Sequence, residues 1–518
     1  MGSIGVEAGR MTDSLKILFL AAEAAPLVKV GGLADVGGAL PGEFRRRGHD
    51  ARLVLPLHPG LRRIVAGSPP AARMMVPNRG APMPAEAYRI EQEGCPVYLI
   101  DGPPLRAADA VYHSDSGRDA FKYVFFSLAA LELTRALRWK PDIVHTNDWH
   151  TAAVNLWLAL NREKDRHFGK TRSVLSIHNL PYLGQDAEPA LAQFRLGVPA
   201  ESVSHDQVRT SESNGPVPQT GPDRFSELPR WARSALLPLG IAAADFILTV
   251  SPSYAEEILT PEFGAGMDEF LCTRKDRLRG ILNGLDTERW NPATDSRLAA
   301  VFDSSSMEKR AINRDSVAAA FGLAADPRPP LIAMVSRLTE QKGIDLALPG
   351  LDAWCRLGGR AAILGTGDPA LEDRVRAFAA RHPGRAGAVT AFDDTLAARI
   401  YAGADYVLVP SRYEPCGLSQ MIAMRYGSLP IVHAVGGLRD TVRDIAEAGG
   451  TGIAFSGASP ESAAFALGRA AEFFRRREDR QAAQVRCMAE DFSWAKSADA
   501  YLDTYRRALA SQACHPAR

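Results

Sequence analysis

Leu331-Ile332-Ala333-Met334-Val335-Ser336-Arg337-Leu338-Thr339-Glu340-Gln341-Lys342-Gly343 is followed by an amphipathic pattern over Ile344–Leu357. An apolar run of strand length, a loop carrying two cations and a helix make one strand–loop–helix unit. The same succession recurs along the chain. In the first half the strand candidates are Lys16–Ala21, Arg52–Leu55, Val97–Ile100, Asp142–Thr146, Ser173–His178 and Phe246–Val250. The second half adds Leu331–Val335, Ala361–Leu364, Ala388–Ala391, Tyr406–Val409 and Ile431–Val432. Helical patterns such as Ala120–Leu137, Pro369–Ala380 and Ser462–Phe474 lie between them. Such alternation predicts an α/β protein with parallel sheets covered by helices on both faces. Sheets of this kind bind ligands at the carboxyl ends of their strands, so the loops there are where chemistry is expected.

Composition removes several classes of function. With 46% hydrophobic and 23% charged residues the chain has the make-up of a globular protein rather than a disordered one. Its 61 Lys and Arg against 60 Asp and Glu leave a net charge of +1, without the basic excess of a nucleic-acid binder. Six cysteines (95, 272, 355, 416, 487 and 514) show no paired or zinc-like spacing, which suits a reduced, cytoplasmic protein. The most apolar stretch, Ser234–Val250, contains Pro238, Gly240 and Asp245 and predicts a buried helix running into a strand, not a membrane span. No HExxH, GxSxG, GxGxxG or P-loop pattern occurs, and His145 and His150 are poorly spaced for a metal.

Residues 1–13 read as a loose leader, and 14–290 and 329–490 as two α/β domains. The Pro-, Asp- and Ser-rich 291–328 reads as a hinge, and the polar 201–230 as a mobile insertion poor in apolar residues. Val30-Gly31-Gly32-Leu33-Ala34-Asp35 is echoed by Val435-Gly436-Gly437-Leu438-Arg439-Asp440, consistent with two similar halves.

Three loops could handle phosphate and sugar. Lys29-Val30-Gly31-Gly32-Leu33-Ala34-Asp35 follows the first strand, where glycines at a helix start let backbone N–H groups approach an anion. A glycine-rich turn without a ligand is the competing reading. Arg337 and Lys342 can converge on a diphosphate, one as a fork and one as a point charge, and Gly365-Thr366-Gly367-Asp368 adds another N–H-rich turn. In Pro410-Ser411-Arg412-Tyr413-Glu414-Pro415-Cys416-Gly417-Leu418-Ser419, Glu414 can accept hydrogen bonds from sugar hydroxyls. Gly417, Leu418 and Ser419 open a helix.

These segments, together with His145-Thr146-Asn147-Asp148-Trp149-His150, Ser176-Ile177-His178-Asn179-Leu180, Thr249–Ile258 and Ile281–Asp286, resemble the bacterial glycogen synthases and plant starch synthases. The matches run in family order from about residue 16 to 505. The resemblance implies a GT-B fold, two Rossmann-like domains facing a deep interdomain cleft, with a C-terminal helix (491–512) crossing back to the first domain. It implies a cytoplasmic enzyme of glycogen biosynthesis that transfers glucose from ADP-glucose to the non-reducing end of an α-1,4-glucan with retention. No metal or cofactor is expected, and neither nucleic acid nor membrane is expected as a partner.

Position by position, it implies that Lys29, Gly31, Gly32 and Asp35 face the donor diphosphate, the glucose and the incoming acceptor, that Asp148 and His178 line the cleft from the N-terminal side, and that His178 lies beside the glucose. Arg337 and Lys342 would hold the diphosphate, Glu414 the sugar, and Cys416, Gly417, Leu418 and Ser419 would lie beside the donor. Phe392 falls where the family places an aromatic against adenine. One segment departs: Trp231–Gly240 replaces the family's Asn and Lys-Gly step, with Pro238 near the expected Lys. The donor motifs are intact, so the departure bears on the acceptor. A GT-B transferase using UDP-glucose or a shorter acceptor, and a non-catalytic glucan-binding homologue, are the alternatives.

Overall fold

A computed structural model describes residues 14–197, 225–326 and 328–510. The leader 1–13, most of the 201–230 insertion and the end of the 491–512 segment lie outside the described residues. Two compact units emerge: residues up to Leu248 together with those from Tyr501 onward, and Thr249–Ala500.

The first unit is built on β1 (Lys16–Leu20), β2 (Asp50–Pro56), β3 (Ala72–Val76), β4 (Met83–Gln92), β5 (Cys95–Asp101), β6 (Ile143–Asn147), β7 (Arg172–Ile177) and β8 (Phe246–Thr249). Their order in the sheet is β3-β4-β5-β2-β1-β6-β7-β8. Ile17, Leu18, Phe19 and Leu20 are all buried, as a parallel strand covered on both faces requires. On one side of β1 Phe19 is in register with Leu53 of β2, on the other with His145 of β6, both parallel. Chain order therefore reverses between β1 and β6, and that is the topological switch point of the sheet.

The antiparallel edge formed by β3 and β4 is absent from the sequence-based reading. In β4 the inward residues are largely alanines, Ala85 and Ala87, alternating with charged ones, so the apolar signal of a strand is weak. The segment Ser234–Val250 does form a helix, Leu236–Ala243, running into β8, and every residue of that helix is buried. Pro238 lies within it, and that helix carries neither a cation nor a side-chain amide. Among the described residues no helix is long and apolar enough to cross a membrane. Cys95, Cys272, Cys355, Cys416 and Cys487 are free thiols.

The second unit holds a short β9 (Leu278–Gly280) and a six-stranded sheet. Its strands are β10 (Leu331–Val335), β11 (Arg360–Leu364), β12 (Ala386–Val389), β13 (Tyr406–Val409), β14 (Leu429–His433) and β15 (Ile453–Phe455). The order is β12-β11-β10-β13-β14-β15, with every neighbouring pair parallel. Ala333 of β10 faces Ala362 on one side and Val407 on the other, so a second switch point lies between β10 and β13.

The division between units falls at Leu248, well before the 291–328 segment read as a hinge. That segment is packed into the second unit instead. Arg310, on the helix Arg310–Ala320, donates from Nε to Ala402 O at 3.0 Å and from Nη2 to Ala404 O at 2.6 Å. Its Pro, Asp and Ser residues make turns within one domain, which composition alone does not distinguish from a linker.

Candidate active site

In the first unit the chain leaving β1 carries Glu23, which is buried. Its Oε2 accepts from Val30 N at 2.6 Å and Gly31 N at 2.8 Å, and its Oε1 accepts from the Tyr112 hydroxyl at 2.6 Å. The glycine-rich loop is thus held by a carboxylate, and the helix Leu33–Arg46 that follows it packs back on the same turn. A Cβ on Gly38 would lie 2.2 Å from Ala25 O, so only glycine allows that approach. Lys29 and Asp35 are ion-paired to each other, Nζ to the two carboxylate oxygens at 2.7 and 2.9 Å. Nothing lies near the Cβ position of Gly32, which leaves that backbone open.

Across the switch point β6 ends in Asn147, and Asp148 opens the helix Asp148–Asn161 with φ at +53°, a conformation rare for a residue with a side chain. Asp148 Oδ1 accepts from His178 N at 2.7 Å, so its carboxylate fixes the backbone that carries the histidine. Burial raises the Asp148 carboxyl to about 7, against the lowering pull of the His178 and Asn179 amides. His178, just past β7, bonds through Nε2 to Asn147 Oδ1 at 2.8 Å. Because Asn147 Nδ2 donates to Leu20 O at 2.7 Å, its Oδ1 is the acceptor and His178 is the Nε2–H tautomer. Burial lowers His178 to about 3, so the imidazole is neutral at physiological pH.

The other histidines of this edge are structural. His145 is fully buried between Tyr505 and Ser176, and His150 packs against Trp149 at 4.1 Å and Tyr123 at 4.8 Å. Among the described residues no group of His, Cys, Asp and Glu side chains could hold a metal ion.

The second unit repeats the plan. The loop after β10 carries Arg337 and Lys342, and the loop after β13 carries Glu414. These strands are neighbours across the switch point, so the loops meet. Lys342 Nζ lies 2.5 Å from Glu414 Oε2, and the Ser411 hydroxyl donates to the same oxygen at 2.8 Å. Glu414 is 6% exposed, which sets it apart from an ordinary surface charge. Arg337 is exposed and, among the described residues, has no ion pair. The two cations therefore differ in their partners: Lys342 is engaged by a carboxylate, and Arg337 has no ion pair among the described residues.

Gly365 packs on the Arg337 loop, where a Cβ would lie 1.9 Å from Ser336 O. Gly417 and Leu418 precede the helix Ser419–Arg425, and the Ser419 hydroxyl donates to Val335 O at 3.2 Å. Burial pushes the Cys416 thiol up to about 12, so it stays protonated and is no nucleophile. Phe392 is 84% exposed, an open aromatic face beyond β12.

Glu23, Tyr112, Asn147 and Ser411, which hold these groups in place, escaped the sequence reading. Only their proximity to strand ends marks them: Asn147 and Tyr112 work through partners distant in sequence, and Ser411 and Glu23 through partners in the loop that follows them.

Two parallel α/β units, each with charged or polar groups gathered at its switch point, define a GT-B glycosyltransferase. The comparisons agree. The catalytic domain of starch synthase IV from Arabidopsis thaliana, bound to ADP and acarbose, superposes with a TM-score of 0.81 at 29% identity, covering 96% of this chain and all of that one. Sucrose-phosphate synthase from Thermosynechococcus elongatus shares the fold at a TM-score of 0.59 and 19% identity, covering 96% of this chain and 100% of that one. The starch synthase catalytic domain family matches residues 16–273, and glycosyl transferases group 1 matches residues 318–481. Glycogen synthase of Anaeromyxobacter dehalogenans is 39% identical over 95% of this chain and 99% of its own length. Glycogen synthase 1 of Methylococcus capsulatus is 38% identical over 96% and 97%. The chain belongs to the glycogen synthase and starch synthase family of glycosyltransferases.

Proposed function

We propose that the protein transfers glucose from ADP-glucose to the non-reducing end of an α-1,4-glucan, with retention at the anomeric carbon and without a metal ion. The nucleotide-sugar donor and glucan acceptor follow from full-length similarity to glycogen synthases and from a structural relative bound to ADP and acarbose. The observation that carries the reading is the pairing of Lys342 with the buried Glu414, together with an Arg337 that has no ion pair among the described residues. Cleavage of the glucose–phosphate bond leaves negative charge on the diphosphate. Arg337 and Lys342 stabilise it, doing in this site what a metal ion does in others.

As the ammonium of Lys342 turns to phosphate, the Glu414 carboxylate is released to hydrogen-bond the sugar and to offset positive charge at the anomeric centre. Neutral His178, fixed by Asn147 and Asp148, is suited to a hydroxyl contact rather than to ion pairing. Phe392 offers a stacking face for adenine. Lys29 and Asp35, already paired, contribute from the glycine-rich loop.

The test is release of ADP from ADP-glucose with and without glycogen, in the presence of EDTA. Glycogen-dependent release is expected. Release only with added divalent metal would overturn the metal-free reading. Release from UDP-glucose alone, or only with short maltooligosaccharides, would redirect the donor or the acceptor, the latter in keeping with the apolar helix at Leu236–Ala243.

A further inference from the structure

Glu257 has no part in the site described so far. It ends the helix Pro252–Glu257 and is 7% exposed. Its Oε1 accepts from Gly436 N at 2.7 Å, while its Oε2 is buried without a hydrogen-bond partner. Gly436 and Gly437 are pressed against the main chain around Glu414. A Cβ on Gly436 would lie 2.1 Å from Glu414 O, and one on Gly437 2.0 Å from Cys416 O. Gly437 N also donates to Glu414 O at 3.0 Å. The turn that Glu257 grips is therefore the turn against which the Glu414 loop rests.

The same short helix and its N-cap hold this assembly at two further points. The Ser251 hydroxyl donates to Pro415 O at 2.6 Å, and Ser253 donates from its amide and hydroxyl to Asp440 at 2.8 and 2.7 Å. The first unit uses a related device, with Glu23 accepting from Val30 and Gly31 in the other Val-Gly-Gly turn. In both units a buried glutamate takes up amide hydrogens of the glycine turn.

We propose that Glu257 is a positioning residue for the transfer reaction. Acting through Gly436 and Gly437, it fixes the backbone of Glu414 and so the place of the carboxylate against the donor sugar. The inference rests on the reading of Glu414 given above. A hydrogen-bond acceptor at the position of Oε1 is what the turn requires, and the length of the glutamate side chain sets where that acceptor stands.

The test compares Glu257→Gln, Glu257→Asp and Glu257→Leu in the full-length protein, with Glu414→Gln as control. Glu257→Gln keeps an acceptor at the right reach. Glu257→Asp keeps the charge and withdraws the acceptor by one methylene. Misplacement of a reacting group by about 1 Å costs on the order of 100-fold, so kcat is expected to fall roughly 10- to 100-fold in the Asp and Leu variants. Donor KM and Tm should stay near the wild-type values, and Glu257→Gln should recover most of kcat.

Wild-type kcat in Glu257→Asp and Glu257→Leu would overturn the proposal, as would a Gln variant no better than Leu. A loss of kcat matched by a fall in Tm would reduce Glu257 to a structural residue. Should Glu257→Leu fail to fold, Glu257→Asp decides. An active Glu414→Gln would overturn the reading of Glu414 itself. An inactive Glu414→Gln beside fully active Glu257 variants would overturn only the positioning role.

Discussion

Glu414 and Lys342 share one oxygen-to-nitrogen contact, and the proposed transfer chemistry turns on it. Removing one partner of a buried pair leaves the other charge uncompensated, which costs more than a surface pair is worth. Glu414→Gln keeps the shape and removes the charge. It is expected to abolish glucose transfer with little change in the circular-dichroism spectrum, and near-normal turnover would remove Glu414 from the mechanism. Arg337→Ala is expected to lower kcat by about 100-fold or more, the scale for losing one preorganised electrostatic partner. Because Arg337 is exposed and unpaired, its loss should leave Tm unchanged.

Asp148 gives a test by pH. Its carboxyl, raised to about 7 by burial, holds a proton in the folded protein at pH values where the unfolded chain has released it. Stability contributed by the folded-state proton is lost as pH rises from about 4 to about 7. Relative to the wild type, Asp148→Asn should therefore gain stability across that window, by at most about 1.4 kcal/mol per pH unit. Urea unfolding at pH 5 and pH 7.5 measures the difference, and equal differences at both would place the titration elsewhere.

Among the elements, those with continuous apolar runs were readable and those with diluted ones were not. Tyr406–Val409 is a strand over the expected residues because all four are buried and the run is bounded by Asp405 and Pro410. The strand Met83–Gln92 was invisible because pairing with β3 and β5, rather than its own apolar content, makes it a strand. Loops show the same contrast. The glycines at 365 and 436 mark turns, but the atoms they must clear, Ser336 O and Glu414 O, belong to segments distant in sequence. Gly365→Ala would drive a methyl into Ser336 O. It is expected to destabilise the second unit by about 1–3 kcal/mol, the usual cost of overpacking. Displacement of the Arg337 loop should raise donor KM as well. Calorimetry and donor titration of one preparation check both, and an unchanged Tm with unchanged KM would show that the loops yield freely.

For the whole molecule, the end of the last described helix is part of the first unit's core. Tyr501 and Tyr505 are fully buried, their rings lie against Phe44, and the Tyr505 hydroxyl is bonded to His145 on β6. Tyr505→Ala empties an aromatic site and leaves His145 without that partner. It should cost about 3–5 kcal/mol, the range for deleting a large buried aromatic side chain. Thermal unfolding followed by tryptophan fluorescence measures this, and a shift too small to detect would mean the C-terminal turn is dispensable to that core.

By itself the sequence determined what local chemistry can encode: strand–helix alternation, glycine turns after strands, and the family motifs that carry Lys29, His178, Arg337, Lys342 and Glu414. Tertiary structure alone decided which groups are neighbours. Chain order reverses between β1 and β6 and between β10 and β13, and the second reversal brings Glu414 to Lys342. It also set Asn147 to fix the His178 tautomer, and Glu257 to hold a turn remote from it in sequence. Parallel pairing joins strands through long crossovers, so contacts across a switch point depend on sheet order, which no local pattern of residues records.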